Sequence, residues 1–271
     1  MSRTRTEALI GELKGERPPV RRTPDELRAA FGQILDWLDE KLRETDATKL
    51  LAAPADFDRI ALRAGRPDGE AERAALCEAI VSRLERRHPK PLRVLLVKTL
   101  RFIGRGESAD ALARLLDDPD AEISEAARQA LANNPSPEAA ATLRAALDAA
   151  IDPARRVSLI DAIGYRRDRK AVAALGRLLE GKSLAVATAA ASALGAIGGP
   201  EAARALETIR PKAPLAIRPA VSDALLACAE QLPAEKAARA AAAIYERLSN
   251  DINEPARIRE AASRNRKAAA E

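Results

Sequence analysis

The sequence predicts an all-α fold of stacked helix pairs, and the main observation behind this prediction is an internal repeat. Between residues 92 and 245, apolar side chains recur at intervals of 31 or 32 positions. One column of the repeat consists of Leu100, Leu131, Ile163, Leu194 and Leu225. A period of this length is typical of proteins in which each unit buries its apolar face only against its neighbours.

Neighbouring columns and the composition support the same fold class. Small residues precede the first column by one position, at Thr99, Ala130, Ala162, Ala193 and Ala224. Leucine follows it by twelve positions, at Leu112, Leu143, Leu175 and Leu206. Aromatic residues make up only 2% of the chain. Because strands favour aromatic and β-branched residues, this composition favours closely packed helices.

The part of the chain before the repeat is predicted to contain an arm and a helical region. We interpret residues 1–22 as a flexible basic arm, because glycines and prolines interrupt its short apolar pattern. Thr23 and Pro24 then begin a helix, since threonine caps helices and proline fits the first turn. Residues 23–69 form the predicted N-terminal helical cap region, which ends in a loop containing Pro54, Gly65, Pro67 and Gly69.

Residues 70–271 are predicted to form a solenoid of roughly six helix pairs. Prolines stand at the predicted helix starts, where a missing amide donor costs nothing, and Gly104 and Gly198 stand at matching helix ends. Beyond Ile258 charged residues replace the apolar stripe, which predicts a polar C-terminal cap. The predicted pairs are 70–88 with 91–104, 107–117 with 120–132, 137–149 with 153–165, 168–180 with 183–197, 200–209 with 214–231, and 233–249 with 254–269.

Two segments of this region carry a family resemblance. Residues Ala193 to Ala203 and Ile123 to Leu147, the latter with its Asn-Pro-Ser-Pro turn, resemble HEAT repeats. The closest form is the short bacterial one, related to phycobilisome-lyase-type repeats, and the resemblance covers roughly residues 70–250. It implies a curved, right-handed α-solenoid whose second helices line a concave face. It also implies a role as a scaffold that binds other proteins.

The residue types present argue against an enzyme. The chain has one histidine, His88, which we interpret as a solvated loop residue. The two cysteines, Cys77 and Cys228, lie on apolar helical stretches and are interpreted as buried apolar residues. No Gly-rich phosphate-binding motif and no usual set of zinc ligands occurs in the sequence. We therefore expect a non-enzymatic protein that requires neither a cofactor nor a metal.

Charge and targeting signals place few limits on the partner. The formal net charge of +5 is small for 271 residues, so it permits an anionic partner without requiring one. The N-terminus lacks the apolar run of a signal peptide, and no window reaches the roughly 18 apolar residues of a membrane span. Because no disulfide framework is present either, the sequence predicts a cytoplasmic location. The Ala- and Arg-rich composition favours a bacterial source.

The predicted function is binding of a protein partner on the second helices. On the helix after Pro91, the apolar residues Leu92, Leu96 and Leu100 point inward, so the basic residues between them point away from the core. The predicted partner-binding residues are Arg93, Lys98, Arg101, Arg155, Arg156 and Arg218.

An alternative function is nucleic-acid or polyanion binding by basic clusters at 83–105 and 166–170. The candidate anion-binding residues are Arg86, Arg87, Lys90, Arg105, Arg166, Arg167, Arg169 and Lys170. Glu122 and Glu125 interrupt a continuous basic stripe, and few aromatic residues are available to stack on bases, so protein binding is favoured. A third hypothesis, implied only by the resemblance, is a lyase-type or chaperone role toward a pigment or a client protein.

Overall fold

The computed structural model describes residues 3–44, 47–232 and 234–268. In these ranges the regular secondary structure consists of α-helices and three short 3₁₀ turns, so the predicted all-α fold class is confirmed. The chain divides into two compact units, which we call unit 1 (Met1–Thr142) and unit 2 (Leu143–Glu271). This division lies far beyond residue 69, where we placed the end of the N-terminal region.

Unit 1 begins with the helices α1 (Arg3–Leu13), α2 (Pro24–Lys41), α3 (Ala47–Ala64) and α4 (Glu70–Leu84). As predicted, Thr23 caps α2. Its hydroxyl accepts a hydrogen bond from the backbone N–H of Glu26 (3.3 Å), and the Glu26 carboxylate accepts one from the backbone N–H of Thr23 (2.8 Å). Helix α2 packs along α4, and its buried residues are Leu27, Ala30, Phe31, Ile34, Leu35 and Leu38.

The structure corrects two N-terminal predictions. Helix α1 lies within the segment predicted as a flexible arm, because Ile10 and Leu13 are buried and hold the helix against its neighbours. Helix α3 continues through Pro54, where a loop was predicted, and Ala53 and Phe57 on either side of it are buried. Burial of apolar area thus outweighs the hydrogen bond that proline removes.

The remaining helices of unit 1 follow the predicted pairing. They are α5 (Lys90–Ile103), α6 (Ala109–Leu115), α7 (Ala121–Asn133) and α8 (Pro137–Ala149), the last of which crosses the unit boundary. A 3₁₀ turn at Gly106–Ser108 precedes α6. The second helices α5 and α7 pack along each other, and α6 packs against α7.

Unit 2 continues the pairing. Its helices are α9 (Pro153–Tyr165), α10 (Val172–Leu178), α11 (Leu184–Ile197), α12 (Gly199–Ile209), α13 (Arg218–Glu230), α14 (Ala234–Asn250) and α15 (Ala256–Ala268). Short 3₁₀ turns occupy Arg169–Ala171 and Arg210–Lys212. The second helices α9, α11 and α13 pack in this order, and α14 packs against α15. The leucine column of the repeat is buried in each of them, at Ile163, Leu194 and Leu225.

The second helices of unit 2 approach each other closely at two glycines that share one repeat position. A Cβ atom added to Gly164 would lie 3.0 Å from the Cα of Ala193, and one added to Gly195 would lie 2.9 Å from the Cα of Ala224. Neither distance leaves room for a side chain. These two glycines and the small residues predicted at Ala193 and Ala224 together set the spacing between α9, α11 and α13.

A buried arginine joins three elements of unit 1. Arg73 on α4 is only 5% exposed. Its guanidinium donates to the carbonyl oxygen of Ile103 (2.7 Å), to both carboxylate oxygens of Glu70 (3.0 and 2.7 Å) and to Glu107. The hydrogen bonds to Glu70 are the main reason why the pKa of Arg73 is raised. This network links α4 to the end of α5 and to the turn before α6.

A buried glutamate plays the corresponding part in unit 2. The Glu254 side chain, between α14 and α15, has no exposed area. Its Oε1 atom accepts hydrogen bonds from Ser222 Oγ (2.6 Å) and from Arg210 Nε and Nη2 (3.1 and 2.9 Å). Arg210 also binds Asp251 (2.5 Å). The network connects α13 to the turns that follow α12 and α14.

Candidate partner-binding surface

Helix α5 separates an apolar face from a face that can meet a partner. Leu92, Leu96 and Leu100 are completely buried, as predicted. Val94, Val97 and Thr99 are buried as well, so only a narrow side of the helix faces outward. We call the exposed residues Lys98, Arg101 and Phe102 the α5 surface.

The α5 surface combines an aromatic ring with two cations. Phe102 is 79% exposed, and the guanidinium carbon of Arg101 lies 5.8 Å from the centre of its ring. Such a cation–π contact contributes about 0.5–1 kcal/mol at an exposed site. Lys98 Nζ lies 3.2 Å from Glu122 Oε1 on α7. Arginine and aromatic residues are enriched among the residues that dominate protein interfaces, so this arrangement suits binding.

Arg93 occupies a different environment on the same helix. It forms an ion pair with Asp118, whose side chain is only 7% exposed, in the turn between α6 and α7. Lys90 also binds this region, through Asp120 (2.8 Å) and Glu122 (3.3 Å). The hydrogen bond from Lys90 lowers the pKa of Asp120. Both side chains therefore tie α5 to the next helix pair.

Other cations of the 83–105 cluster are also matched by acids. Arg83 binds Asp36 on α2, and Arg28 on α2 binds Glu78 on α4 (3.0 Å). With neighbouring residues these two arginines line a cleft of about 400 Å³ between α2 and α4. All four candidate residues of this cluster are exposed: Arg86, which lines the same cleft, Arg87, Lys90 and Arg105.

The sequence-based analysis missed these acidic partners, although the repeat contained a signal for them. Asp118 and Glu122 lie 25 and 24 residues after the cations that they bind, in the turn before α7 and on α7. Both acids therefore belong to the next helix pair, so their proximity follows from stacking. The surface formed by this basic cluster is consequently less positive than its sequence suggests, because acids from the next helix pair lie beside its cations.

The predicted partner-binding residues of unit 2 are less exposed than the α5 surface. Arg155 and Arg156 lie on the first turn of α9, and Arg218 begins α13, with α11 packed between these helices. All three side chains are half-buried, and the Nε atoms of Arg156 and Arg218 are fully buried. The aliphatic part of these two side chains thus packs on the protein.

The second basic cluster follows α9. Burial lowers the pKa of Arg166, which is half-buried. Asp168 lies in the middle of the cluster, where its carboxylate binds Arg144 and accepts a hydrogen bond from the backbone N–H of Lys170 (3.1 Å). Arg167 adopts a left-handed backbone conformation with φ of 52°. The exposed cations of this turn are Arg167, Arg169 and Lys170.

The histidine and the cysteines lie inside the protein. The His88 side chain is 11% exposed and its Nδ1 atom lies 3.6 Å from Asp39 Oδ2 on α2, so the prediction of a solvated residue is wrong. Helix α2 covers it. Cys77 and Cys228 are free and buried, as predicted, and burial raises the pKa of both thiols to about 12. Over the described ranges, no three His, Cys, Asp or Glu side chains form a group that could hold a metal ion.

A comparison with known sequence families identifies the repeat. The profile of HEAT repeats matches residues 77–159 and 150–225. No curated protein sequence matches the chain. Within the described parts of the chain, none of the helices has the length and apolar content needed to span a lipid bilayer.

Solved structures with a similar fold share little sequence with the chain. The CpcE–CpcF complex of phycocyanin lyase from Nostoc sp. aligns with 18% identity over 93% of this chain and 97% of that chain, with a TM-score of 0.42. A designed armadillo repeat protein in complex with the peptide (KR)4 aligns with 21% identity over 72% and 99%, with a TM-score of 0.40. Human deoxyhypusine hydroxylase aligns with 18% identity over 98% and 96%, with a TM-score of 0.36.

Proposed function

Because the chain belongs to the HEAT repeat family, we propose that it is a non-enzymatic scaffold that binds a partner protein through the α5 surface of unit 1. Stacked helical repeats commonly present extended surfaces for binding other macromolecules. The observation that carries the proposal is the exposed Phe102 ring beneath the Arg101 guanidinium. When a partner covers an aromatic side chain this exposed, apolar area leaves water and the free energy of the complex falls.

The chemistry of the α5 surface favours a partner with an acidic patch next to an apolar group. Lys98 and Arg101 supply the positive charge, and Glu122 is the one acid bound to either of them among the described residues. Covering the ring of Phe102 contributes about 1.5–3 kcal/mol when burial is complete. The charges of Lys98 and Arg101 would orient the partner and increase its rate of association.

The other predicted residues take secondary roles in this proposal. Arg93 maintains the stacking of α5 on the turn before α7 through Asp118. Arg155, Arg156 and Arg218 provide additional contacts on unit 2 for a partner that extends over its second helices. Their half-buried positions make them weaker anchors than the α5 surface.

Polyanion binding is a second candidate, and one observation favours it. Arg167, Arg169 and Lys170 are exposed on a single turn, while the acid between them, Asp168, is already bound to Arg144. A nucleic-acid ligand held there would dissociate steeply with added salt, because phosphate contacts release counterions.

A capture experiment with matched charge reversals separates the two candidates. The tagged full-length chain is incubated with native lysate, with and without nuclease, and compared with Lys98→Glu/Arg101→Glu and Arg169→Glu/Lys170→Glu variants. We expect a defined protein partner that survives nuclease and is reduced about tenfold or more by the first pair, since two contacts at the centre of an interface are reversed. The second pair carries the same charge change and should leave capture unaltered. Loss of captured material with nuclease, or with the second pair only, would overturn the proposal in favour of polyanion binding.

A further inference from the structure

A large cleft opens among the first three helices of unit 1, away from the α5 surface. Its volume is about 860 Å³, and it is lined by residues of α1, α2 and α3 and of the loop after α1. The buried residues Ile10 and Ala53, together with the half-buried Trp37, form an apolar floor. Exposed carboxylates such as Glu7 and Glu40 form the rim. We infer that this cleft binds a peptide segment that carries arginine or lysine side chains.

The charge of the cleft is negative, although the whole chain is positive. Among the described residues that line it, six are acidic (Glu7, Glu16, Asp36, Glu40, Glu44 and Asp56) and three are basic (Lys14, Arg17 and Lys41), so the acids are in excess by three. Lys14 pairs with Asp56 (2.7 Å) and Glu16 (3.0 Å), Lys41 pairs with Glu44, and Asp36 pairs with Arg83 of α4. An excess of carboxylates with low-dielectric walls attracts cations and repels anions.

Trp37 and Glu40 form the part of the cleft that can recognise a cation. Trp37 is the only tryptophan of the chain, and it lies beside the buried stripe of α2, not within it. Glu40 follows it by three residues, so both side chains project from the same side of the helix. Glu40 is exposed and forms no ion pair with another described residue. An indole face next to an unpaired carboxylate is the arrangement that binds guanidinium and ammonium groups.

The apolar floor explains why the ligand is a basic side chain and not a simple cation. Lysine and arginine carry an aliphatic stem below their charge, so the stem packs on Ile10 and Ala53 while the charge reaches Trp37 and Glu40. An apolar ligand would instead desolvate the carboxylates without compensation. The volume exceeds that of one side chain and falls in the range of ligand-binding pockets, which fits a short peptide segment.

The single tryptophan provides a direct test. The full-length chain is titrated with a capped peptide of sequence Ala-Arg-Ala-Arg-Ala while Trp37 fluorescence is recorded. We expect a saturable change in emission that weakens as ionic strength rises. Glu40→Gln should reduce the affinity about two- to fivefold, because one solvent-accessible charge contact is lost.

Matched controls distinguish binding in the cleft from general attraction to acids. Glu246→Gln makes the same charge change at an exposed position of α14 and should leave the affinity unaltered. A peptide with glutamine in place of arginine should produce no change in Trp37 emission. An equal response to that peptide, or an affinity unaffected by Glu40→Gln, would overturn the inference. The Lys98→Glu/Arg101→Glu variant should retain the response, so this site stands or falls independently of the proposed scaffold function.

Discussion

The second helices of the two units are spaced by different means, although they share one repeat pattern. In unit 1, long charged side chains connect α5 to α7 and to the turn before it, through Arg93 with Asp118 and Lys98 with Glu122. In unit 2, α9, α11 and α13 meet at glycine and alanine, with Gly195 against Ala224. The repeat position that holds Gly164 and Gly195 in unit 2 holds Arg101 and Ala132 in unit 1.

This difference shows where binding residues can be found in such a repeat. Close backbone contact stabilises unit 2 but leaves only small side chains along the crossing points of its helices. In unit 1 the same repeat position holds Ala132 on α7 but Arg101 on α5, whose guanidinium lies over the ring of Phe102. A shared periodic core is thus compatible with exposed charged and aromatic side chains in one region and closely packed small residues in the other.

The largest expected effect on stability comes from removing the arginine of each buried network. In unit 1 the arginine is buried and Glu70 is mostly exposed, whereas in unit 2 Glu254 is fully buried and Arg210 is more accessible. Arg210→Met leaves a buried carboxylate with only Ser222 as a partner, so we expect a loss of about 3–5 kcal/mol in unfolding free energy. Arg73→Met leaves its acids near solvent and should cost about 1–3 kcal/mol.

Urea-induced unfolding followed by far-UV circular dichroism measures both losses. Arg204→Met is the control, because Arg204 is exposed and its bonds to Glu201 and to the Pro200 carbonyl oxygen stay within its own helix. This change should cost less than about 1 kcal/mol. Equal losses for Arg210→Met and Arg73→Met would contradict the difference in burial between the two networks.

A substitution at the helix crossing tests the second difference. Gly195→Ala places a Cβ atom 2.9 Å from the Cα of Ala224, so α11 and α13 must separate. We expect a loss of about 1–3 kcal/mol in stability from this overpacking. Gly32→Ala on α2 is the control, since nothing lies within 4 Å of the added atom. It should instead stabilise the protein by about 0.5–1 kcal/mol, because alanine is the better helix former. Similar effects at both glycines would show that the close approach is not rigid.

Acidification is expected to have the smallest effect on stability, and it acts on the charged contacts of unit 1. The hydrogen bond from Arg22 lowers the pKa of Glu12, and that from Arg73 lowers the pKa of Glu70. A carboxylate with a lowered folded-state pKa contributes stability above its unfolded pKa of about 4.3 and loses it as the pH falls through the folded value. Below about pH 4.3 we therefore expect stability to decrease progressively in unit 1.

Trp37 lies in unit 1, so its emission monitors this decrease. Glu12→Gln should lower stability at neutral pH by about 1 kcal/mol, since one of the two hydrogen bonds from Arg22 to the Glu12 carboxylate is lost. At a pH well below both pKa values the variant and the wild type should be equally stable. A constant difference between them at all pH values would rule out titration of Glu12 as the cause.

Much of the fold follows from periodicity, because burial of a helix face depends on residues three and four positions apart. The buried columns at Leu100 and Leu194 and the helix cap at Thr23 were predicted correctly for this reason. The α5 surface was predicted in part, since Lys98 and Arg101 were correctly assigned to the outer side of the helix. Phe102 was not among the predicted binding residues, because a single exposed ring leaves no periodic signal.

Contacts between distant residues required the tertiary structure. Arg83 and Asp36 are 47 positions apart, and Lys14 and Asp56 are 42 apart, so no local pattern connects them. The same holds for the helix through Pro54 and for the cover over His88, where packing against other helices outweighs local preferences. The sequence by itself determined that the apolar columns of the repeat are buried, since that depends on the spacing of apolar side chains along each helix. Only the tertiary structure decided which charges meet and where a cleft opens, because both depend on how the helices are placed against one another.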